Sequence, residues 1–87
     1  MATRHSVDEC LEQCQSAIDY AQEQYKDAAR QEHNNAGNFS KSQLMLEDAY
    51  HELDKLLLSA NEQQREQLHR MRLQLQQMQN SMILLGP

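Results

Sequence analysis

Apolar residues recur along this chain at alternating steps of four and three, and this spacing constrains the fold more than any other feature. In the first third of the chain the pattern comprises Val7, Leu11, Cys14, Ile18, Ala21, Tyr25 and Ala28. Such steps place side chains along one stripe of an α-helix and leave polar residues on its other faces. The only proline is Pro87 and the only glycines are Gly37 and Gly86, so the turn residues that strands and hairpins need are nearly absent. The sequence therefore predicts an all-α protein.

A capping signal and a polar segment bound the first predicted helix. Ser6 and Glu9 have the spacing of a capping box, in which the serine hydroxyl accepts from a backbone amide and the glutamate side chain reaches back. Residues 34–38 read Asn-Asn-Ala-Gly-Asn, a composition typical of a turn. We therefore predict a first helix over about 7–34 and a loop over 35–39.

A second helix is predicted to follow this loop. Ser40 and Gln43 have capping-box spacing, and Phe39 and Leu44 occupy the two positions of a hydrophobic staple. The apolar pattern continues through Leu46, Tyr50, Leu53 and Leu57, and it resumes through Leu68, Met71, Leu75, Met78, Met82 and Leu85. The whole chain, 1–87, is therefore predicted to form a single helical domain with coiled-coil heptads.

The slip in the pattern between Leu57 and Asn61 leaves two architectures open. Two successive steps of four fit both a stutter in a continuous helix and a helix break. The segment Ser59–Glu62 has capping-box spacing, but no staple, glycine or proline accompanies it, which favours one helix over 41–85. The predicted fold is therefore an antiparallel helical hairpin with a long second helix. The alternative is a three-helix bundle with a break near Ser59–Asn61.

The two helices of the predicted hairpin differ in length. The second helix is about 68 Å long and the first about 40 Å, at a rise of 1.5 Å per residue. The first helix then covers the second only to about Leu68 and leaves an apolar stripe without an intramolecular partner. We predict that this stripe binds a second copy, as a homodimer, or another helical protein, through Met71, Leu75, Met78, Met82 and Leu85. In the three-helix alternative the same residues are core.

The charge of the chain is negative and unevenly distributed. The net charge is −5, with −4 over residues 1–32, −2 over 33–60 and +1 over 61–87. Nucleic acid and anionic membranes require a basic footprint, so neither is a predicted partner. The longest wholly apolar run is Met82–Leu85, too short for a signal peptide or a membrane span, and a cytoplasmic location is predicted.

Cys10 and Cys14 are four residues apart with His5 just upstream, and thiolate and imidazole are good zinc ligands. No second Cys or His pair supplies the remaining ligands, and Cys14 lies in the apolar stripe, which favours packing over a metal site or a disulfide. No glycine-rich phosphate loop or serine-nucleophile motif stands out. We predict no metal, no cofactor, no small-molecule substrate and no catalytic residue, and hence a protein that is not an enzyme.

Three segments carry a resemblance to a known family. They are Ser6–Glu9, Ser59–Asn61 and the run over 63–76, which reads Gln-Gln-Arg-Glu-Gln-Leu-His-Arg-Met-Arg-Leu-Gln-Leu-Gln. With them the whole chain resembles a family of short helical proteins of spore-forming bacilli that has no assigned function. The resemblance implies a bacterial, cytoplasmic setting and no particular activity. We therefore predict a non-enzymatic protein-protein interaction or self-assembly module.

A shorter likeness supplies an alternative function. The segment His51–Leu57 is similar to the Ser-Gln-Glu-Leu-Asp motif of small helical-hairpin phosphatases that act on sporulation response regulators. Glu52 and Asp54 match the acidic positions of that motif, whereas Tyr50 and His51 stand where it has serine and glutamine. The likeness implies a regulator or phosphatase of a sporulation response regulator as the alternative.

Overall fold

The structure is a computed structural model that describes residues 3–30 and 36–85, with side chains described for all of them except 27–30, 36–39 and 85. Three α-helices follow one another along the chain: α1 (Arg4–Arg30), α2 (Ala36–Leu57) and α3 (Glu62–Leu85). No strand occurs within the described ranges. The prediction of an all-α protein is therefore confirmed.

The first helix begins earlier than the predicted capping box at Ser6. Thr3 is the cap instead, because its Oγ1 accepts from the Ser6 amide at 3.0 Å and its carbonyl accepts from the Val7 amide at 3.1 Å. Ser6 is therefore the third residue of α1, and the predicted box with Glu9 is wrong. A threonine cap one turn upstream satisfies an amide of the first turn in the same way, so the helix extends to it.

The second helix also begins earlier than predicted. It starts at Ala36, so residues 36–39 of the predicted loop are helical and Ser40 lies inside α2 rather than at its cap. Leu44 of the predicted staple is 58% exposed, and the side chain of Phe39 lies outside the described residues. A single helical glycine such as Gly37 costs about 1 kcal/mol, which packing further along the helix offsets.

A turn after Leu57 separates α2 from α3, and the prediction of one helix over 41–85 is wrong. The turn closes through the Ser59 amide, which donates to the Leu56 carbonyl at 3.1 Å. Asn61 then caps α3 in a reciprocal capping box: its Oδ1 accepts from the Gln64 amide at 2.8 Å, and its own amide donates to Gln64 Oε1 at 3.0 Å.

The turn needs no glycine because no residue in the described ranges has a left-handed backbone. The capping box begins at Asn61, two residues after Ser59, where the sequence spacing placed it. The described molecule measures 46 × 17 × 15 Å, so a helix of about 68 Å does not fit within it. The break near Ser59–Asn61 that the alternative fold required is present.

Side chains from all three helices form one hydrophobic cluster, and each helix contacts the other two. The cluster contains Val7, Cys10, Cys14, Ala17, Ile18 and Ala21 of α1, Leu46, Ala49 and Leu53 of α2, and Leu68, Leu75, Met78 and Met82 of α3. Cys10 and Ala17 lie outside the stripe predicted for α1. The buried face is wider than that stripe because α1 packs against two helices instead of one. None of the three helices, in their described residues, is long and apolar enough to cross a membrane.

The capping box of α3 generates a stability prediction. Replacing Asn61 with alanine removes the acceptor for the Gln64 amide, and we expect the free energy of unfolding to fall by about 1 kcal/mol in urea denaturation. Asn80→Ala is the matched control, since Asn80 is exposed within α3, and its effect should stay within about 0.5 kcal/mol. Equal effects of the two substitutions would contradict the assigned cap.

Candidate functional site

The stripe predicted to bind a partner is covered by the chain's own helices. Leu75 is 0% exposed, Met82 1% and Met78 8%, and all three belong to the central cluster. Met71 is half-buried against the same cluster, and the side chain of Leu85 lies outside the described residues. The prediction assumed that this stripe had no intramolecular partner. That assumption is wrong, because the turn before Asn61 folds α3 back onto α1 and α2.

A second row of side chains on α3 lies outside the central cluster. Its members are spaced by alternating steps of four and three, so they follow one line along the helix, and every one is exposed. We call this row the outer seam: Glu66, Arg70, Leu73, Gln77, Asn80 and Leu84. Leu73 is 60% exposed and Leu84 87% exposed. The outer seam was missed in the sequence because Gln77 and Asn80 interrupt it, although the eleven-residue interval between its two leucines was a usable signal.

The outer seam carries no net charge. Arg70 donates to Glu66 at 2.9 Å, so the two charged members of the seam neutralise each other. Both side chains are exposed, and such a pair is worth less than about 1 kcal/mol. Over its whole length α3 carries two acids and three bases, whereas α1 carries six acids and three bases. The outer seam therefore lies on the least acidic helix.

A polar cluster joins α2 to α3 beside the central core. The Tyr50 hydroxyl accepts from Arg72 Nε at 2.7 Å and from Gln76 Nε2 at 3.1 Å. The Arg72 guanidinium also lies 5.1 Å from the centre of the Tyr50 ring, a cation-π distance. The hydrogen bond that Arg72 donates to the Tyr50 hydroxyl raises the pKa of Arg72, and the Asp54 carboxylate adds to this. The cluster ties α3 to α2 downstream of the turn.

The two acidic positions of the phosphatase likeness already have cationic neighbours. Asp54 Oδ1 lies 3.7 Å from Arg72 Nε, and Glu52 Oε1 lies 3.5 Å from Lys55 Nζ. His51 is exposed on the same helix. These pairings account for the acidic residues as part of the α2 surface and of its contact with α3.

The two cysteines lie side by side in the core. Cys10 is 5% exposed and Cys14 0% exposed, and Cys14 Sγ donates to the Ala49 carbonyl at 3.8 Å. Burial raises the pKa of both thiols, that of Cys14 to about 12. Within the described ranges no group of three or more His, Cys, Asp or Glu side chains is arranged to hold a metal ion. The thiols are therefore protonated at neutral pH and part of the packing.

Among the described residues, two of the surface grooves lie beside α3. One, of about 520 Å³, lies where α1 and α3 begin, and it is lined by Arg4, Val7, Asp8, Asn61, Gln63, Gln64 and Gln67. The other, of about 360 Å³, lies between α1 and α3 and is lined by Ile18, Gln22, Gln74, Gln77, Met78 and Ser81. Small-molecule sites are mostly apolar and enclosed. The amide-rich linings of these grooves suit water better than a small organic ligand.

The raised thiol pKa values predict that stability falls at alkaline pH. A thiol ionises near its ordinary pKa of 9.0 in the unfolded chain and near 12 at Cys14 in the folded chain, so above pH 9 the folded state binds more protons. The contribution of the Cys14 thiol to the free energy of unfolding is complete below about pH 9. It is lost as the pH rises towards 12, by at most about 1.4 kcal/mol per pH unit.

Urea unfolding at about pH 8 and about pH 10.5 measures this effect. A Cys10→Ala/Cys14→Ala variant is the control, because lysine and tyrosine titration is common to both proteins. The wild type should lose more stability than the variant between the two pH values. Equal losses would show that the folded thiols have ordinary pKa values.

Known proteins confirm the family resemblance. Residues 1–84 match the family described as protein of unknown function, DUF2524. A Bacillus subtilis (strain 168) protein named "Uncharacterized protein YtzC" is 62% identical over 87 residues, which cover 100% of this chain and 97% of that protein. No solved structure matches the chain. The chain belongs to the DUF2524 family.

Proposed function

We propose that this protein is a small, non-enzymatic self-assembly module of the bacterial cytoplasm, and that two copies associate through the outer seam of α3. The observation that supports the proposal is the exposure of Leu73 and Leu84 on one line of the same helix, at 60% and 87%. Single exposed leucines are common on protein surfaces. Two of them at coiled-coil spacing on one helix form a repeating apolar contact surface.

The spacing of the outer seam is self-complementary in an antiparallel pair. Leu73 and Leu84 are eleven residues apart, about 16 Å along the helix axis. When two α3 helices cross antiparallel with the two-fold axis between Gln77 and Asn80, Leu73 of each copy faces Leu84 of the other. The same register sets Gln77 against Asn80, whose amides both donate and accept hydrogen bonds. A polar pair at seam positions fixes the register of a coiled coil at some cost in stability.

Charge also favours α3 as the contact. Two copies with a net charge of −5 repel each other, and the repulsion is largest between their acidic α1 helices. An α3-to-α3 contact brings together the helices that carry two acids and three bases each and keeps both α1 helices apart. The paired charges of Glu66 and Arg70 add no net charge to the interface.

The predicted dimer is weak. Each copy offers two leucines, which contribute about 1.5–3 kcal/mol each when fully buried, and association itself costs at least about 4 kcal/mol. We expect a dissociation constant of about 100 μM to 1 mM, so that the fraction of dimer rises with protein concentration.

Sedimentation velocity over about 10 μM to about 1 mM protein tests the proposal. The wild type should shift from monomer to dimer, and a Leu73→Gln/Leu84→Gln variant should stay monomeric across the range. Because both leucines are exposed, the variant should keep the helix content and thermal midpoint of the wild type.

Leu44→Gln/Leu58→Gln is the matched control. These two leucines are 58% and 85% exposed on α2 and the turn, so the same number of apolar side chains is lost away from the outer seam. The control should dimerise like the wild type. A wild type that stays monomeric at the highest concentration, or a control that loses dimerisation as fully as the outer-seam variant, would refute pairing through the outer seam.

A further inference from the structure

The two thiols of the chain share one face of α1. Cys10 and Cys14 lie one turn apart on the buried face of α1, with side chains 5% and 0% exposed. Residues four apart on a helix are neighbours on its surface, and the Cys14 thiol also reaches the Ala49 carbonyl of α2 at 3.8 Å. Two sulfur atoms are thus held together in an apolar, water-poor cluster made by three helices.

The number and kind of ligands limit which metal ion such a pair can hold. Zinc is almost always bound by four protein ligands in structural sites, and no group of three or more His, Cys, Asp or Glu side chains gathers within the described ranges. Thiolate sulfur is a soft ligand that favours Cu(I), zinc and iron–sulfur clusters. Cu(I), unlike zinc, can be bound by two thiolates alone. The pair therefore meets the needs of a soft monovalent ion and not those of zinc.

We propose that Cys10 and Cys14 form a two-thiolate site for Cu(I) inside the bundle. On binding, the two S–H bonds release their protons to solvent and two Cu–S bonds form. The copper stays in the +1 state and no electron is transferred. The resulting group carries one negative charge, shared between the two sulfur atoms and the ion.

The surroundings of the thiols support a site selective for soft ions. Hard cations, which bind oxygen ligands and water, gain nothing from two sulfur ligands in this apolar cluster. Glu52 faces Cys10 from α2 and opposes a thiolate there, but its own carboxylate lies 3.5 Å from Lys55. Because the unfolded chain does not hold the two sulfurs together, binding also stabilises the fold.

Competition with a coloured Cu(I) chelator, bicinchoninate, tests this site on the full-length, reduced protein without oxygen. The wild type should withdraw one Cu(I) per chain, and its thermal midpoint should rise on loading. Cys10→Ala and Cys14→Ala should each weaken Cu(I) binding by about a hundredfold or more. Alanine already occupies neighbouring core positions of α1 at Ala17 and Ala21, and circular dichroism confirms that each variant is folded.

Met45→Leu is the matched control. The Met45 side chain packs against the same cluster, and its thioether sulfur is also a soft ligand. This variant should bind Cu(I) like the wild type. X-ray absorption of the loaded wild type should show two sulfur neighbours around copper, which does not depend on any variant folding. Copper that stays with the chelator, single-cysteine variants that retain wild-type affinity, or loss of binding in Met45→Leu would each overturn the proposal.

Discussion

The reciprocal capping of Asn61 and Gln64 is the interaction on which the arrangement of the helices depends. It satisfies amides at the start of α3 within the chain, with hydrogen bonds of 2.8 and 3.0 Å, so that a new helix begins after only four residues that follow α2. Only a chain that reverses here can bring Leu68 and Leu75 against α1 as well as α2. The Tyr50 and Arg72 cluster then holds the returning helix to α2.

The reversal of the chain at Asn61 determines which side of α3 is exposed and can contact other molecules. In a long hairpin the methionines of α3 would form an open stripe, whereas folding back makes Met78 and Met82 core residues. What remains exposed is the opposite side of α3, where Leu73 and Leu84 stand among amides. Self-association through this side and copper binding by the thiols of α1 rest on different residues. Each proposal can fail without affecting the other.

The sequence predicted the helical class and many of the core positions because apolar spacing reports which face of a helix is buried. Leu46, Leu53 and Leu68 were all placed on the faces that the first helix covers, and all three are 0% exposed. The turn was predicted only as the alternative, because its residues need no glycine and the slip in the apolar pattern between Leu57 and Asn61 also fits a continuous helix. The outer seam was missed because Gln77 looks like an ordinary solvent-facing residue until the neighbouring helices are placed.

Small-angle X-ray scattering of dilute protein tests the central claim most directly, because the reversal at Asn61 shortens the molecule. The Cα radius of gyration is 14.1 Å, and the account predicts a solution value close to it once the hydration layer is allowed for. A helix of about 68 Å would give a rod with a radius of gyration of roughly 20 Å. A value near 20 Å for the monomer would contradict the turn and the covered stripe of α3.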